Sequence, residues 1–322
     1  MSKCFIQKCS ALVIGAASML LCAKSAAARD SFANNSFVEK PELVERPELV
    51  ERPELTVSTL VSHTGLSQAG SSQLDLPQLD LSQADLSVPS EGEGRIVVSY
   101  DRSITAPDNQ TVQDILREAG MFEAIGDAVS DKLILPRDIT LSIEECGFPN
   151  AFYFSESSQV RMCYELLFLF VQDFRTAGFE EEEAITQALY AFSFVSLHEL
   201  GHAVIHDLNL PILGREEDVA DQFATFMTTY EGVGGHAFAW AAALELMLAA
   251  EREDSREAYL DTHSSSPQRA RSIVCLAYGS APEEFFDIPE EVLPPSQRGT
   301  CVSDSRRMVE SFERLLGPYR RS

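Results

Sequence analysis

The feature that most constrains this chain is the pentapeptide at positions 198–202, which reads His-Glu-Leu-Gly-His. Residues four apart on a helix point in nearly the same direction, so His198 and His202 can hold one metal ion together. Glu199 is turned by about 100° from His198, which places its carboxylate beside the metal and not on it. This H-E-x-x-H spacing predicts one Zn²⁺ ion with an acid–base carboxylate next to it.

The residues before the pentapeptide support a metal site over a chance occurrence of the pattern. Residues 183–197 are apolar on most faces, which predicts a buried helix that ends before Pro211. Burial of a polar pair costs free energy unless the pair has partners or a role. We therefore expect the histidines to bind metal and Glu199 to act as the catalytic base of a hydrolase.

A second predicted helix, within residues 214–227, carries Glu217 and Asp221 four positions apart. Zinc with an open site needs a third protein ligand, and we predict that Glu217 supplies it. Asp221 is expected to accept a hydrogen bond from a ligand histidine and so to orient its ring. The alternative is a simple acidic helix N-terminus, since Glu216, Glu217 and Asp218 all favour that end of the helix dipole. It accounts well for Glu216 and Asp218, but not for Asp221 one turn later among apolar residues.

His206 is a rival ligand, because it lies four residues beyond His202. It is also one more turn, about 6 Å, along the helix axis, so we do not include it among the ligands. Of the remaining histidines, His63 falls in a repetitive segment, and His236 is predicted to cap an Ala-rich helix that ends near Ala250.

The first 28 residues are predicted to be a signal peptide. Lys3 and Lys8 precede an apolar run over residues 11–23, and Ser-Ala-Ala-Ala ends at Ala28, where we expect cleavage. Cys22 would instead be a lipidation site, but bulky Leu21 precedes it where a small residue is expected. The mature protein is thus expected to be exported, periplasmic or secreted, with no transmembrane span.

Residues 29–92 are expected to form a disordered segment rich in Pro, Leu, Glu and Asp. Val-Glu-(Lys/Arg)-Pro-Glu-Leu starts at Val38, Val44 and Val50, and a shorter unit follows from Gln73. Its regular Leu spacing leaves open that this segment docks a partner. The net charge of −25 argues against nucleic acid and anionic membranes as partners, and otherwise describes a well-solvated surface.

Four cysteines lie beyond the predicted signal peptide, an even number that suits an oxidising compartment. Three pairings are possible. We prefer the two that join neighbouring segments, Cys146 with Cys163 and Cys275 with Cys301. A second metal site is not expected, because no C-x-x-C spacing occurs among them.

The region 93–322 is predicted to be one α+β domain. Strands are expected at residues 95–100 and 138–143, with a helix from 111 to about 133 between them, and a hairpin at 151–163. Helices follow from Tyr164 onward. This order predicts a small, mostly antiparallel sheet packed on the active-site helix, followed by a helical C-terminal part.

With these residues assembled, the chain resembles gluzincin zinc peptidases. The CAAX-prenyl-protease and heat-shock membrane protease group pairs H-E-x-x-H with E-x-x-A-D, which reads Glu-Asp-Val-Ala-Asp at 217–221 here. That group also has a T-H-P segment with an arginine six residues after the histidine. It corresponds to Thr262-His263-Ser264 and Arg269, with serine in place of proline. The resemblance implies that His263 stabilises the oxyanion and that Arg269 supports it.

Residues 95–320 are also similar to a bacterial family of exported metallopeptidases that is named only as a domain of unknown function. The shared features are short motifs along the domain: Asn-Ala-Phe-Tyr at 150–153, Cys-Tyr-Glu-Leu at 163–166, the H-E-L-G-H core, Gly-Arg-Glu-Glu-Asp at 214–218 and Cys-Leu-Ala-Tyr-Gly at 275–279. This similarity implies a zincin-like metallopeptidase domain.

The expected function is therefore a zinc-dependent peptidase, most simply an endopeptidase, that acts on a peptide or protein. Residues 159–163 are expected to form a sheet edge that pairs with an extended substrate. Two alternatives remain open from sequence. One is a non-proteolytic periplasmic zinc-binding or chaperone-like module, and the other is a zinc amidase that acts on cell-wall peptides.

Overall fold

The computed structural model describes residues 94–252, 263–285, 288–290 and 292–321. The predicted signal peptide and repeat segment lie outside the described residues, as does Thr262. In the described part the elements are β1 (Ile96–Tyr100), α1 (Pro107–Ala119), α2 (Met121–Ser130), β2 (Ile139–Glu144), β3 (Ala151–Phe154), β4 (Gln159–Cys163), α3 (Tyr164–Thr176), α4 (Glu181–Asp207), α5 (Glu216–Thr229), α6 (His236–Ala249), α7 (Ser266–Ser280) and α8 (Pro295–Leu316).

The domain is α+β, as predicted, but the expectation of a mostly antiparallel sheet is wrong. The strand order is β1-β2-β4-β3, and both β1–β2 and β2–β4 are parallel. Two helices connect β1 to β2, and such a crossover returns the chain in the same direction. Among the four strands of this sheet, only the predicted hairpin, β3 with β4, is an antiparallel pair.

The strand order also corrects the predicted sheet edge. β4 lies between β2 and β3, so β3 is one of the two end strands and β4 is an inner one. β3 packs against α4, which brings this end of the sheet beside the helix that carries the pentapeptide. The single helix predicted over 111–133 is in fact two, α1 and α2. They are separated by Gly120, whose φ of 60° suits glycine and breaks the helical path.

The long helix α4 is the centre of the domain, in contact with α3, α5 and α6. Its length and composition would allow a membrane span, but 89% of its apolar window is buried inside the fold. Three glutamates in its first turn favour the positive end of the helix dipole. Asn209 takes a left-handed conformation just after its end, before Pro211.

Both predicted disulfides are confirmed. Cys146 is bonded to Cys163 and Cys275 to Cys301, with sequence separations of 17 and 26 residues. The first joins the end of β4 to the loop before β3. The second joins α7 to α8, which pack against each other.

Candidate metal centre

The structure brings together the three predicted ligands. The Nε2 atoms of His198 and His202 are 3.2 Å apart, and the Glu217 Oε2 atom lies 3.2 Å from each of them. Donor atoms at about 2.1 Å from one tetrahedral Zn²⁺ stand about 3.4 Å apart. Two imidazoles and a carboxylate are also a donor set that zinc accepts. The three residues therefore fit a single zinc ion by both spacing and chemistry.

The close approach of α5 to α4 depends on Gly201, between the two histidines. A Cβ at this position would lie 3.1 Å from Phe223 Cδ1 and 3.2 Å from the Cα of Ala220. A side chain there would push α5 away from α4. The absence of one lets Glu217, at the start of α5, reach the histidines.

Asp221 lies behind His198, where the helical spacing from Glu217 predicts it. Its Oδ1 is 2.9 Å from His198 Nδ1, and its two oxygens accept hydrogen bonds of 2.8 Å from Arg269 Nε and Nη2. Asp221 is 3% exposed. Burial opposes its charge, but the Arg269 guanidinium holds the pKa of this carboxyl below its usual range. Arg269 thus contacts the carboxylate that orients a proposed ligand.

Glu216 has the corresponding position behind the second histidine. Its Oε1 lies 2.7 Å from His202 Nδ1. In the sequence, the dipole of α5 is enough to explain this glutamate. The contact with His202 could nevertheless have been anticipated, because a metal-binding histidine needs an acceptor for its outer N–H and Glu216 is next to the predicted ligand Glu217.

His263 reaches the same centre from the segment before α7. Its Nε2 lies 2.8 Å from Glu217 Oε2, and its ring is stacked 6.1 Å from that of His198. Together His198, Glu217 and His263 offer ligand atoms within 4.8 Å of one another. The position suits either a further metal ligand or a hydrogen-bond donor beside the metal.

The segment around His263 is attached to α5. Ser264 Oγ donates to Asp218 Oδ1 at 2.7 Å, and Arg215 Nη1 donates to the backbone oxygen of His263 at 3.5 Å. In the sequence, the helix dipole accounts for Asp218 as it does for Glu216. The structure shows that Asp218 also holds the segment that carries His263.

Charges at the centre are strongly coupled. Burial opposes a charged His198, but hydrogen bonds with Asp221 and Glu217 raise its pKa to about 9. Burial also opposes charge on Glu217, yet hydrogen bonds with His198, His202 and His263 bring its pKa well below the ordinary value. A carboxylate surrounded by imidazoles that favour a positive charge is an arrangement in which a cation can replace protons.

Glu199 lines a cavity together with the three proposed ligands. The residue is 8% exposed, and burial raises the pKa of its carboxyl. The cavity has a volume of about 960 Å³, and its walls come from β3, α3, α4, α5 and α6. His198, His202, Glu199 and Glu217 line it together with His263. The predicted base therefore faces a space large enough for a peptide.

Other histidines stand apart from the three proposed ligands. His206 lines the cavity, but its side chain is 54% exposed and its Nδ1 lies 3.4 Å from Asp207 Oδ1. The prediction that His236 caps the Ala-rich helix is wrong: Gly235 is the N-cap, His236 is the first residue of α6, and its Nε2 is 2.8 Å from Ser280 Oγ. His63 lies outside the described residues.

Comparison with known proteins gives one relationship. No curated protein and no solved structure matches the chain. A family model described as "Putative metallopeptidase" matches residues 100–316, which is more than half of the chain. The match runs from the end of β1 to the end of α8 and includes the pentapeptide, both disulfides and Arg269. The chain therefore belongs to this family.

Proposed function

We propose that the protein is an exported, zinc-dependent endopeptidase. The observation that carries this proposal is the convergence of His198, His202 and Glu217, whose donor atoms are 3.2 Å from one another, with the buried Glu199 beside them in a cavity. Zinc, when bound by these three side chains, lowers the pKa of a water and polarises a peptide carbonyl.

Glu199 performs the proton transfers in this proposal. Its carboxylate accepts a proton from the attacking water and then delivers it to the nitrogen of the leaving amine. The buried position, which raises its pKa, favours the protonated intermediate between those two transfers.

The residues behind the two histidines keep their Nε2 lone pairs available. Asp221 accepts the Nδ1–H of His198, and Glu216 accepts that of His202, which selects the tautomer with a free Nε2. Arg269 is a positioning residue, because it holds both oxygens of Asp221. His263 is proposed to donate from Nε2 to the oxyanion that develops on the carbonyl.

An extended substrate is proposed to bind along β3. This strand is at the end of the sheet, and residues 150–155 line the cavity. Backbone groups of an end strand can pair with a peptide that passes the proposed metal site. We therefore propose that β3, and not residues 159–163, pairs with the substrate.

Export is supported by the two disulfides, which form and persist in oxidising compartments. The signal peptide remains a prediction, and N-terminal sequencing of the mature protein tests it. A start at residue 29 is expected, whereas a start at Cys22 would favour the lipoprotein alternative.

Metal analysis and a peptide-library digest test the proposed function. We expect one zinc per chain, cleavage of library peptides by the wild type, and a loss of about 10²- to 10⁴-fold in Glu199→Gln with zinc retained. Adding cell-wall peptides to the library tests the amidase alternative. Cleavage by Glu199→Gln at the wild-type rate would show that Glu199 is not the base.

A further inference from the structure

The cavity extends away from the proposed metal site along α4. Ala191, Phe194 and Val195 line it one to two turns before His198. Seven residues of helix correspond to about 10 Å, so this extension is deep enough for a long side chain. We refer to it as the apolar arm, and its walls are Leu166, Leu169 and Phe170 of α3, Ala191, Phe194 and Val195 of α4, and Ala242, Leu246 and Ala249 of α6.

One carboxylate interrupts the apolar arm. Glu245 lies on α6 between Ala242 and Leu246, lines the same cavity, and has a side chain that is 7% exposed. A carboxylate in apolar surroundings is costly unless a cation or donors compensate it. The proposed chemistry at the metal centre does not use Glu245, so its position calls for another explanation.

Among the described residues, the formal charge around Glu245 is only partly compensated. Arg252 contacts Asp173 of α3 through Nη1, while its Nη2 is 3.5 Å from Glu245 Oε1, longer than a strong ion pair. With both carboxyls ionised, Glu245, Asp173 and Arg252 would sum to −2 + 1 = −1. The Arg252 side chain is also 42% exposed, so it lies towards solvent while Glu245 is inside.

Asp173 and Glu245 are hydrogen-bonded to each other, so the two carboxyls share a proton where no further cation is bound. Burial, followed by the nearby charge of Asp173, raises the pKa of Glu245 to about 7. Burial likewise raises the pKa of Asp173. A second cation beside Glu245 would compensate the buried charge that the chain itself leaves only partly matched.

Resting on the proposed peptidase function, we propose that the apolar arm is a specificity subsite for a lysine or arginine next to the scissile bond. Such side chains have an aliphatic stem and a charged tip. The stem would pack against Phe194, Leu169 and their neighbours, and the tip would reach Glu245. Glu245 is then the residue that sets specificity, because a cationic side chain compensates its negative charge and a neutral aliphatic one does not.

Binding to the zinc-loaded Glu199→Gln protein tests this proposal without requiring turnover. Calorimetry compares two peptides that are identical except for one residue, which is lysine in one and norleucine in the other. The comparison is made once with this residue immediately before the scissile bond and once with it immediately after. We expect the lysine peptide to bind about ten- to a hundredfold more tightly. The additional Glu245→Gln substitution, which keeps size and removes charge, should abolish this difference and leave norleucine binding unchanged.

Two controls separate the subsite from general electrostatics and from folding. Glu251→Gln removes a charge from an exposed position just beyond α6 and should retain the lysine preference. Acetylation of the peptide's lysine removes the charge without any change in the protein, and the acetylated peptide should bind like norleucine. This second control holds even if Glu245→Gln fails to fold.

Equal binding of lysine and norleucine peptides, or a preference that survives Glu245→Gln, would overturn the subsite. Wild-type hydrolysis is measured separately. Cleavage without a cationic preference rejects the subsite and keeps the peptidase. A cationic binding preference without any cleavage keeps the subsite and rejects the peptidase.

Discussion

Replacement of Asp221 by asparagine should destabilise the protein strongly, because it separates a buried guanidinium from its carboxylate. The side chains of Asp221 and Arg269 are 4% and 18% exposed, and two hydrogen bonds of 2.8 Å join them. Removing one partner of a buried pair costs about 3–5 kcal/mol. The partial exposure of Arg269 favours the lower end, about 3 kcal/mol.

Glu216→Gln is the matched control. Glu216 also contacts the outer nitrogen of a proposed ligand histidine, but its side chain is 49% exposed and solvent can replace the contact. An exposed pair contributes about 0–1 kcal/mol. The same carboxylate-to-amide change should therefore be less costly at position 216 than at position 221, by at least about 2 kcal/mol.

Urea denaturation of the metal-free variants at pH 7 measures this difference. Zinc competition titration of the same proteins should show roughly ten- to a hundredfold weaker binding in Asp221→Asn, because His198 loses its acceptor. The double variant Asp221→Asn/Arg269→Met should recover part of the lost stability. A loss in Asp221→Asn no larger than that in Glu216→Gln would refute the reasoning.

Three further predictions concern the frame of the site. Gly201→Ala should lower the free energy of unfolding by about 1 kcal/mol, because steric repulsion between the new Cβ and Phe223 outweighs the gain in helix propensity. An unchanged urea midpoint would contradict this. Glu145 accepts hydrogen bonds at the start of α1 that outweigh its burial and lower its pKa to about 2. The stabilisation by ionised Glu145 is complete above pH 4.5 and is lost as pH falls towards 2. Glu145→Gln should therefore cost about 1 kcal/mol at pH 7 and less at pH 3. Urea midpoints of the two proteins at both pH values measure this. Replacing Cys275 and Cys301 by serine should cost about 2–4 kcal/mol in urea denaturation, and an unchanged midpoint would show that this bridge contributes nothing.

Local patterns in the sequence are sufficient for the residues that share a helix. A separation of four residues places side chains on one face wherever the helix lies in the fold. For this reason the pairs His198 with His202 and Glu217 with Asp221 can be assigned from the sequence alone. The disulfides are predictable on a similar basis, since each bridges segments close in sequence.

Sheet topology is predicted less well, because strand partners are chosen by contacts between distant segments. The helical stretch between the first two strands favours a parallel pair, whereas the hairpin that follows is the stronger local signal and favours an antiparallel sheet. The insertion of β4 between β2 and β3 has no local signal. It determines which strand is at the end of the sheet and so beside the cavity.

The sequence by itself determined the donor types, their helical spacing, the acid beside them and the family to which the chain belongs. Only the tertiary structure decided which side chains from separate elements meet there. His263 reaches Glu217 through the docking of its segment on α5, and Glu245 faces the apolar arm because α6 packs against α3 and α4. Both depend on helix packing, in which the angle and rotation of each helix follow from the whole core and not from spacing along one chain segment.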